Sequence, residues 1–439
     1  MLLYRRNGAT VRRGGENHAS AASVGADVHP DPSPSARLPM IDAIKATAED
    51  VFPEVVELRR TLHRHPELSG EEHQTARRVA ERLRPLDLEV RTGLPSSIGT
   101  GVVATLDGGR PGPTLLLRGD MDALPIREET GLEFASENEG VMHACGHDVH
   151  TSSLLGAALI LARHREDVCG QVRFCFQPHE ERLPGGARAM IEEGLLDATN
   201  GTPAPAAAFG QHVKPGLPAG TIGVRSGWAM ASTDEIYVTV EGEGGHAANP
   251  HELAADATYV ASEIVVALQS VISRQCPPGV PSVLTIGRLV ADGATNVIPP
   301  TARLEGTFRA MDEDWRYRAH DLIRRVATRT AEAHGATADV ELRVGYPALF
   351  NHEAPTALVR EAATDYLGPD RVVEADRWFA GEDFAYVLQQ CPGTFYQLGA
   401  GTDEGLHTAR FAADEEALRV GPGFMAYLAW RYGAEHADA

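Results

Sequence analysis

Residues 172–181 have the sequence VRFCFQPHEE, an apolar run of branched and aromatic residues that passes directly into two glutamates. The run predicts a buried strand, so Glu180 and Glu181 are expected just past its C-terminal end. The same arrangement occurs in TLLLRGDMD (114–122), which ends in two aspartates, and in AAAFGQH (206–212), which ends in a histidine. Ionisable residues at the carboxyl ends of strands are typical of the ligand crevice of an open α/β sheet.

Helical patterns flank these strands. From residue 41 to about 75, apolar positions recur every three or four residues and are interrupted by Pro66. The segment SSLLGAALILARHR (152–165) predicts a second helix, with Ser152 as its N-cap and basic residues in its last turn. The central part of the chain is therefore expected to alternate between helices and strands.

A different pattern between residues 226 and 345 predicts an inserted domain. The expected order is β-α-β-β-α-β, which is the ferredoxin-like plan. Its elements are a strand at 235–242, a helix at 252–275, strands at 283–290 and 302–308, a helix at 312–334 and a strand at 338–344. Its two helices would leave the other face of the sheet free to pack, for example against a second subunit.

After the insertion the first domain resumes, with a helix near 355–367 and a strand at 394–401. The prediction is an α/β chain of two domains, in which a discontinuous catalytic domain carries an inserted ferredoxin-like domain. The predicted boundaries are a disordered tail at 1–39, a catalytic di-metal domain at 40–225 and 346–439, and a lid or dimerisation domain at 226–345.

Composition narrows the class of protein. With 439 residues, 43% hydrophobic, two domains are the natural expectation, and the absence of a long apolar run argues against a membrane protein. The net charge of -21 argues against nucleic acid as a partner. Five scattered cysteines without a CxxC pair favour a reducing compartment, so a cytoplasmic location is expected. The tail is basic at first and then rich in Pro and Ser. Met40, which directly follows it, is a second candidate for the start of the chain.

The motif HACGHD brings Cys145 and His147 into one glycine-containing loop, where both side chains could face one ion. Thiolate and imidazole are typical ligands of zinc and other first-row metals. Alone, the motif is equally compatible with a buried cysteine beside surface histidines. Its position near Glu180 and Glu181 favours metal binding, because two carboxylates in one crevice need cations or protons to compensate them.

Two further histidines, His212 and His407, complete a candidate ligand set. Five ligands are about what two ions with a shared ligand and a water require. The candidate ligands are Cys145, His147, Glu181, His212 and His407. Glu180 could then take a proton from water, and Asp122 could orient a ligand histidine from behind.

The ordered motifs RGDMDALPI, MHACGHDVH, FQPHEE, GQH, GGHAANPH, NVIPP, GTFRA, GEDF and GLHT resemble the amidohydrolase branch of the aminoacylase/carboxypeptidase metallopeptidases. That branch includes hippurate hydrolases, indole-acetyl-amino-acid hydrolases and N-acetyldiaminopimelate deacetylases. The resemblance covers roughly residues 55 to 425.

The resemblance implies a metal-dependent amidohydrolase that cleaves N-acyl amino acids, with the five ligands around two divalent ions (Mn, Zn, Co or Ni) and Glu180 as general base. It implies that His246 reaches a neighbouring subunit's site to stabilise the oxyanion, so a homodimer or higher homo-oligomer is expected. It also implies that Asn296 and Arg309 bind substrate; from the residues alone, a structural ion pair explains Arg309 almost as well.

Two alternatives remain open at this point. A dipeptidase or carboxypeptidase would share the metal centre, and a catalytically silent metal-binding protein would share only the ligands. One departure from the family pattern concerns the pocket, because His179 precedes the glutamates and ArgLeuPro (182–184) follows them, where a small residue and a glycine-rich stretch are usual. Substrate choice is the inference that this departure affects.

Overall fold

The computed structural model describes residues 34–199 and 201–437. Its regular structure is divided between one large mixed sheet, one smaller antiparallel sheet, two short two-stranded sheets and the helices. In chain order the strands are β1 (Glu89–Leu94), β2 (Gly101–Asp107), β3 (Arg110–Asp120), β4 (Cys169–Gln177), β5 (Pro205–Lys214), β6 (Ile222–Val224), β7 (Gly227–Met230), β8 (Asp234–Glu241), β9 (Gly245–His246), β10 (Ser282–Val290), β11 (Val297–Ile298), β12 (Thr301–Ala310), β13 (Thr337–Val344), β14 (Leu349–Asn351), β15 (Val372–Glu374) and β16 (Gly393–Gly399).

The helices lie between these strands and at both ends of the described chain. In chain order they are α1 (Pro34–Arg64), α2 (His73–Leu83), α3 (His147–Arg163), α4 (Gly186–Glu192), α5 (Ala257–Ser270), α6 (Glu313–Ala333), α7 (Glu353–Leu367), α8 (Ala385–Leu388) and α9 (Ala417–Glu435). Within the described ranges, none of them combines the length and apolar character needed to cross a bilayer.

The large sheet has the strand order β1-β2-β4-β3-β5-β16-β6-β15. Its central strands are covered on both faces, because alternate residues of one strand enter different cores. In β3, Leu115 and Leu117 pack with α1, α3 and α9, whereas Leu116 points to the opposite core with Phe384 and Phe395. Since β3, β4 and β5 run parallel, their carboxyl ends meet at one edge of the sheet.

The smaller sheet confirms the predicted ferredoxin-like insertion. Its four antiparallel strands have the order β10-β12-β8-β13, and α5 and α6 pack on one face. Helix α5 begins at Ala257 rather than at 252, because the Asp256 side chain accepts hydrogen bonds from the amides of Thr258 and Tyr259. The opposite face of this sheet carries exposed side chains such as Val283.

Two other local predictions were wrong. Helix α3 begins at His147, after Gly146 in a left-handed conformation (φ 81°), so Ser152 is not its N-cap but a buried residue of its second turn. The predicted tail reached residue 39, whereas α1 already begins at Pro34, which suits the first turn of a helix. The rest of that tail lies outside the described residues. The interruption at Pro66 is present as the break between α1 and α2.

Candidate metal centre and active-site cavity

The five side chains predicted as metal ligands lie together at the carboxyl edge of the large sheet. Their ligand atoms form two groups, each with all atoms within 4.8 Å of one another, and Cys145 belongs to both. The groups are Cys145, His147 and His212, and Cys145, Glu181 and His407. Two groups of ligand atoms that share one member could together hold two divalent ions.

Individual distances describe how closely the groups converge. The Cys145 Sγ lies 3.5 Å from His212 Nε2 and 3.3 Å from His407 Nε2. The Oε1 atom of Glu181 lies 3.2 Å from His407 Nε2 and 3.7 Å from His147 Nε2. Cys145, His147 and His212 are buried, whereas the His407 side chain is 52% exposed, so the cluster opens to solvent on one side.

Backbone conformation at two residues places these ligands. The left-handed Gly146 turns the chain between Cys145 and α3, and a Cβ there would lie 2.4 Å from Val213 Cγ2. His407 itself has a left-handed conformation (φ 60°), which is uncommon for a residue with a side chain. Local strain of this kind is concentrated at functional sites, and here it aims an imidazole at the cluster.

Hydrogen bonds fix which nitrogen of each buried histidine faces the cluster. His212 Nδ1 donates to the main-chain oxygen of Val213 at 2.8 Å, and His147 Nδ1 donates to Asp122 Oδ1 at 3.2 Å. Their Nε2 lone pairs therefore point toward Cys145 and Glu181. The His147 Nε2 and Glu181 Oε1 atoms are buried and have no hydrogen-bond partner among the described residues. Unsatisfied buried atoms of this chemistry fit divalent metal ions.

The electrostatics of the cluster also fit a bound cation. Burial raises the pKa of the Cys145 thiol well above its usual range, and Glu181 and Glu180 raise it further. Burial alone would lower the pKa of His147, but Asp120 and Asp122 outweigh it and raise that pKa to about 10. A bound cation would oppose both effects, because it stabilises a thiolate and a neutral imidazole.

Asp122 lies directly behind the cluster. Besides His147, it accepts hydrogen bonds from Ser69 Oγ at 2.6 Å and from the amide of Glu181 at 2.9 Å. One carboxylate thus orients a candidate ligand histidine and holds the backbone of a second candidate ligand. Such arrangements fix the ligand tautomer and geometry of metal sites.

Glu180 is 6% exposed and lies beside a buried carboxylate pair to which the sequence analysis gave no role. Oxygens of Glu180, Glu382 and Asp383 lie within 4.8 Å of one another. Burial raises the pKa of Glu180 well above its usual range, and the neighbouring Glu382 and Glu181 raise it further. A carboxylate in this setting holds a proton readily near neutral pH.

The Arg118 guanidinium compensates part of this negative charge. It donates to Asp120 at 2.5 Å, to Glu382 at 2.9 Å and to Asp383 at 3.0 Å, and its side chain is 1% exposed. Asp120 in turn binds His150 Nδ1 at 2.6 Å. The sequence offered one signal for this network, the adjacent acids of the GEDF motif, but no pattern linked them to Arg118.

The cluster forms one wall of a cavity of about 470 Å³ between the two sheets. Apolar walls come from Leu183, Met230, Tyr346, Trp378 and Leu406. His212 contacts Trp378 edge to face, with ring centroids 5.3 Å apart, and Lys214 Nζ lies 4.2 Å from the same indole. The cavity therefore combines a candidate metal centre with a largely apolar binding surface, which is typical of small-molecule sites.

The predicted substrate residues divide into two groups. Arg309 lines the cavity. His246 and Asn296 are exposed on the inserted domain, where the Ala247 amide donates to the Asn296 main-chain oxygen, and neither lines the cavity. Of the unusual residues around the glutamate pair, Leu183 contributes to the cavity.

The fold and this site define a class of protein: a two-domain α/β metallohydrolase that acts on amide bonds. The chain belongs to peptidase family M20/M25/M40, whose family model matches residues 116–431.

Relatives and solved structures support this family. An N-acetyl-L-cysteine deacetylase of Bacillus subtilis is 40% identical over 365 residues, covering 83% of this chain and 85% of the relative. Thermostable carboxypeptidase 1 of Saccharolobus solfataricus is 35% identical over 400 residues, covering 90% of this chain and 99% of the relative. The crystal structure of the Bacillus subtilis YXEP protein, described as a dinuclear metal binding peptidase, matches with a TM-score of 0.76 and 37% sequence identity. The match covers 88% of this chain and 99% of that protein.

Proposed function

We propose that this chain hydrolyses the amide bond of N-acyl amino acids, releasing a carboxylic acid and an amino acid. The observation that carries the proposal is the convergence of the five predicted ligands, four of which line the same cavity as Glu180 and Arg309. The deacetylase relative supports the choice of substrate class.

Two divalent ions are proposed as cofactors, held by the two ligand groups that share Cys145. The mixture of thiolate, imidazole and carboxylate donors suits zinc and other first-row metals, so Mn, Zn, Co and Ni are the candidates. When bound, such ions would polarise the amide carbonyl and lower the pKa of a water from 15.7 toward about 7.

Glu180 is proposed as the general base. Its carboxylate would accept the proton of a water as the water oxygen forms a bond with the amide carbon. As the C–N bond breaks, the Glu180 carboxyl would return that proton to the leaving nitrogen. Burial and the neighbouring Glu382 support this role, because both favour a carboxyl group that gains and loses a proton near neutral pH.

Arg309 is proposed to bind the substrate carboxylate. Its guanidinium lines the cavity on the side of the inserted domain, across from the sheet that carries the ligand cluster. Bidentate hydrogen bonds from a guanidinium fit a carboxylate and would fix one end of the substrate. The scissile amide could then be oriented toward Glu180.

His246 and Asn296 are proposed to act from a second copy of the chain. Both are exposed and lie away from the cavity of their own chain, since His246 ends β9 and Asn296 directly precedes β11. A homodimer through the inserted domain, with boundaries near 226 and 345, would let His246 stabilise the oxyanion of the partner's reaction. A fully active monomer in solution would contradict this part of the proposal.

The location proposed is the cytoplasm. Cys145, Cys175, Cys276 and Cys391 are free thiols, and Cys145 has to stay reduced to bind metal. Free thiols are typical of reducing compartments.

The test is hydrolysis by metal-reconstituted protein. N-acetyl and N-benzoyl amino acids would be compared with unblocked dipeptides, and released amino acid would be measured by mass spectrometry with and without chelator. Metal-dependent release from the blocked substrates is expected. Cleavage of dipeptides alone would instead assign a dipeptidase, and no cleavage of any amide would contradict the proposed function.

A further inference from the structure

We propose that Glu235 binds an ammonium group of the substrate and that, with Arg309, it selects monoacylated diamino acids. These substrates carry a carboxylate and one free amine besides the amine that is acylated. This inference rests on the proposed hydrolase function and adds to it the class of amino acid released.

Strand register places the two charged residues on one face of the smaller sheet. Glu235 of β8 pairs with Thr307 of β12, two residues before Arg309. Side chains two residues apart on a strand point to the same face, so Glu235 and Arg309 both lie opposite the face that buries Ile236 and Phe308. Diagonal neighbours of this kind are about 7–8 Å apart or less, close enough to contact one small ligand together.

Both side chains line the active-site cavity. Among the described residues that line it, Arg309 is the one arginine, and the remaining carboxylates, Glu180 and Glu181, belong to the proposed base and ligand set. Glu235 is therefore the carboxylate in the cavity wall that has no role in the proposed hydrolysis.

Glu235 and Arg309 do not form an ion pair with each other. Across residues 34–199 and 201–437, the Arg309 guanidinium makes no hydrogen bond and no ion pair, so it stays available to a substrate carboxylate. Glu235 Oε2 accepts a hydrogen bond from Tyr237 Oη at 2.9 Å. In the same part of the chain, no side chain donates to its Oε1.

Arg343 does not satisfy Glu235 either. Its Nη1 lies 4.0 Å from Glu235 Oε2, and its side chain is 55% exposed. The Arg343 Nε instead donates to Glu341 at 2.7 Å. A long ion pair at this exposure contributes little, so one Glu235 oxygen stays open to a ligand.

This charge arrangement discriminates between substrates. An N-acyl amino acid with a neutral side chain brings only a carboxylate, and Glu235 would weaken its binding to Arg309 by like-charge repulsion. A substrate with a free ammonium removes that repulsion and gains a charge-assisted hydrogen bond at Glu235. The ammonium can be the α-amine, when the side-chain amine is acylated, or the side-chain amine, when the α-amine is acylated.

The experiment compares three substrates of matched size with metal-reconstituted full-length protein: Nε-acetyl-lysine, Nα-acetyl-lysine and N-acetyl-norleucine. The last lacks the ammonium but keeps the carboxylate. We expect kcat/KM for at least one lysine derivative to exceed that for the norleucine derivative by about tenfold or more. Which derivative is preferred reports whether the α-amine or the side-chain amine faces Glu235.

Variants assign the preference to Glu235. The Glu235→Gln variant should bring the ratio of lysine to norleucine turnover close to one, whereas the matched control Glu241→Gln should keep the wild-type ratio. Glu241 is the exposed last residue of β8, the strand that carries Glu235, and does not line the cavity. Equal turnover of all three substrates by wild type, or an unchanged ratio in Glu235→Gln, would overturn the inference while leaving the hydrolase function intact.

Calorimetry distinguishes failure of the proposed ammonium site from failure of the proposed hydrolase function. Free lysine and norleucine would be titrated into the same proteins, and wild type should bind lysine about tenfold more tightly, with the difference lost in Glu235→Gln. If no amide is hydrolysed but this binding difference is present, the function is wrong and the ammonium site is right. Equal binding of the two amino acids overturns the site.

Discussion

Tyr346 donates a 2.5 Å hydrogen bond from its Oη to the main-chain oxygen of Glu180. Tyr346 follows β13, the last strand of the inserted domain, whereas Glu180 lies just past β4 of the large sheet. The Tyr346 main chain is also paired with Thr233, which precedes β8, so the two segments that connect the domains are joined to each other. The position of the inserted domain is thus coupled to the proposed general base.

Replacing Tyr346 with Phe should lower kcat about tenfold, because the main-chain oxygen of Glu180 loses the hydrogen bond from the Tyr346 hydroxyl. The matched control is Tyr386→Phe, because the Tyr386 hydroxyl lies 3.5 Å from the main-chain oxygen of Gly345 and does not contact Glu180. That variant should retain kcat within about twofold. Steady-state kinetics and urea unfolding would be measured together. A Tyr346→Phe protein that loses stability but keeps full kcat would show that the contact is structural only.

Replacing Glu180 with Gln should reduce kcat by about 10²–10⁴ while the metal content stays at the wild-type level, because the amide cannot accept the proton of water. Kinetics and elemental mass spectrometry on the same sample check both expectations. Glu192→Gln is the control, since Glu192 lies on α4 with a side chain that is 63% exposed. Near-normal turnover by Glu180→Gln would remove Glu180 as the base.

Much of this architecture was predictable because the strands carry continuous apolar runs and end in polar residues. The segment VRFCF lies within the buried strand β4. It is apolar throughout because successive side chains enter different cores, Phe174 on one face of the sheet and Cys175 on the other. The inserted domain was predictable for the same reason, since its helices and strands have strong and distinct periods.

Other features depend on contacts between distant parts of the chain. Arg118 and Glu382 are 264 positions apart, so no local pattern could pair them. Helix α9 contains Gly421, Pro422 and Gly423, a sequence typical of a turn, yet all three are buried in a helix packed against α3. There, tertiary packing outweighs local propensity.

Replacing Asp122 with Asn should weaken metal affinity about 10- to 100-fold, because the variant loses the charge that orients His147. Asn also places an amide group where Ser69 and the Glu181 amide both donate to Asp122. Competition with a chelator measures the affinity, and kcat should recover in excess metal. Asp107→Asn, on the exposed end of β2, is the control. Wild-type affinity in Asp122→Asn would contradict the role of this carboxylate.

The buried pair of Asp234 and Arg316 gives a prediction about pH. Arg316 donates to Asp234 at 2.6 and 2.9 Å and also to the main-chain oxygen of Gly345 at 3.0 Å, so it ties together the two connecting segments. Replacing Asp234 with Asn should destabilise the protein by about 1–3 kcal/mol at pH 7, because Arg316 and His320 lose the charge of Asp234 while Glu313 still pairs with Arg316.

This loss of stability should shrink as pH falls. Burial alone would raise the pKa of Asp234, but hydrogen bonds from His320 and Arg316 outweigh it and hold that pKa below its usual range. The stabilising contribution is therefore complete above the unfolded-state pKa of about 3.9 and is lost as pH falls toward the lower folded-state value. Urea unfolding from pH 7 to pH 3 should show wild type approaching Asp234→Asn. The control Asp321→Asn, 87% exposed on the same helix as Arg316, should match wild type throughout. A gap between wild type and Asp234→Asn that stays constant over this range would mean that the Asp234 carboxylate is not the group that loses its charge.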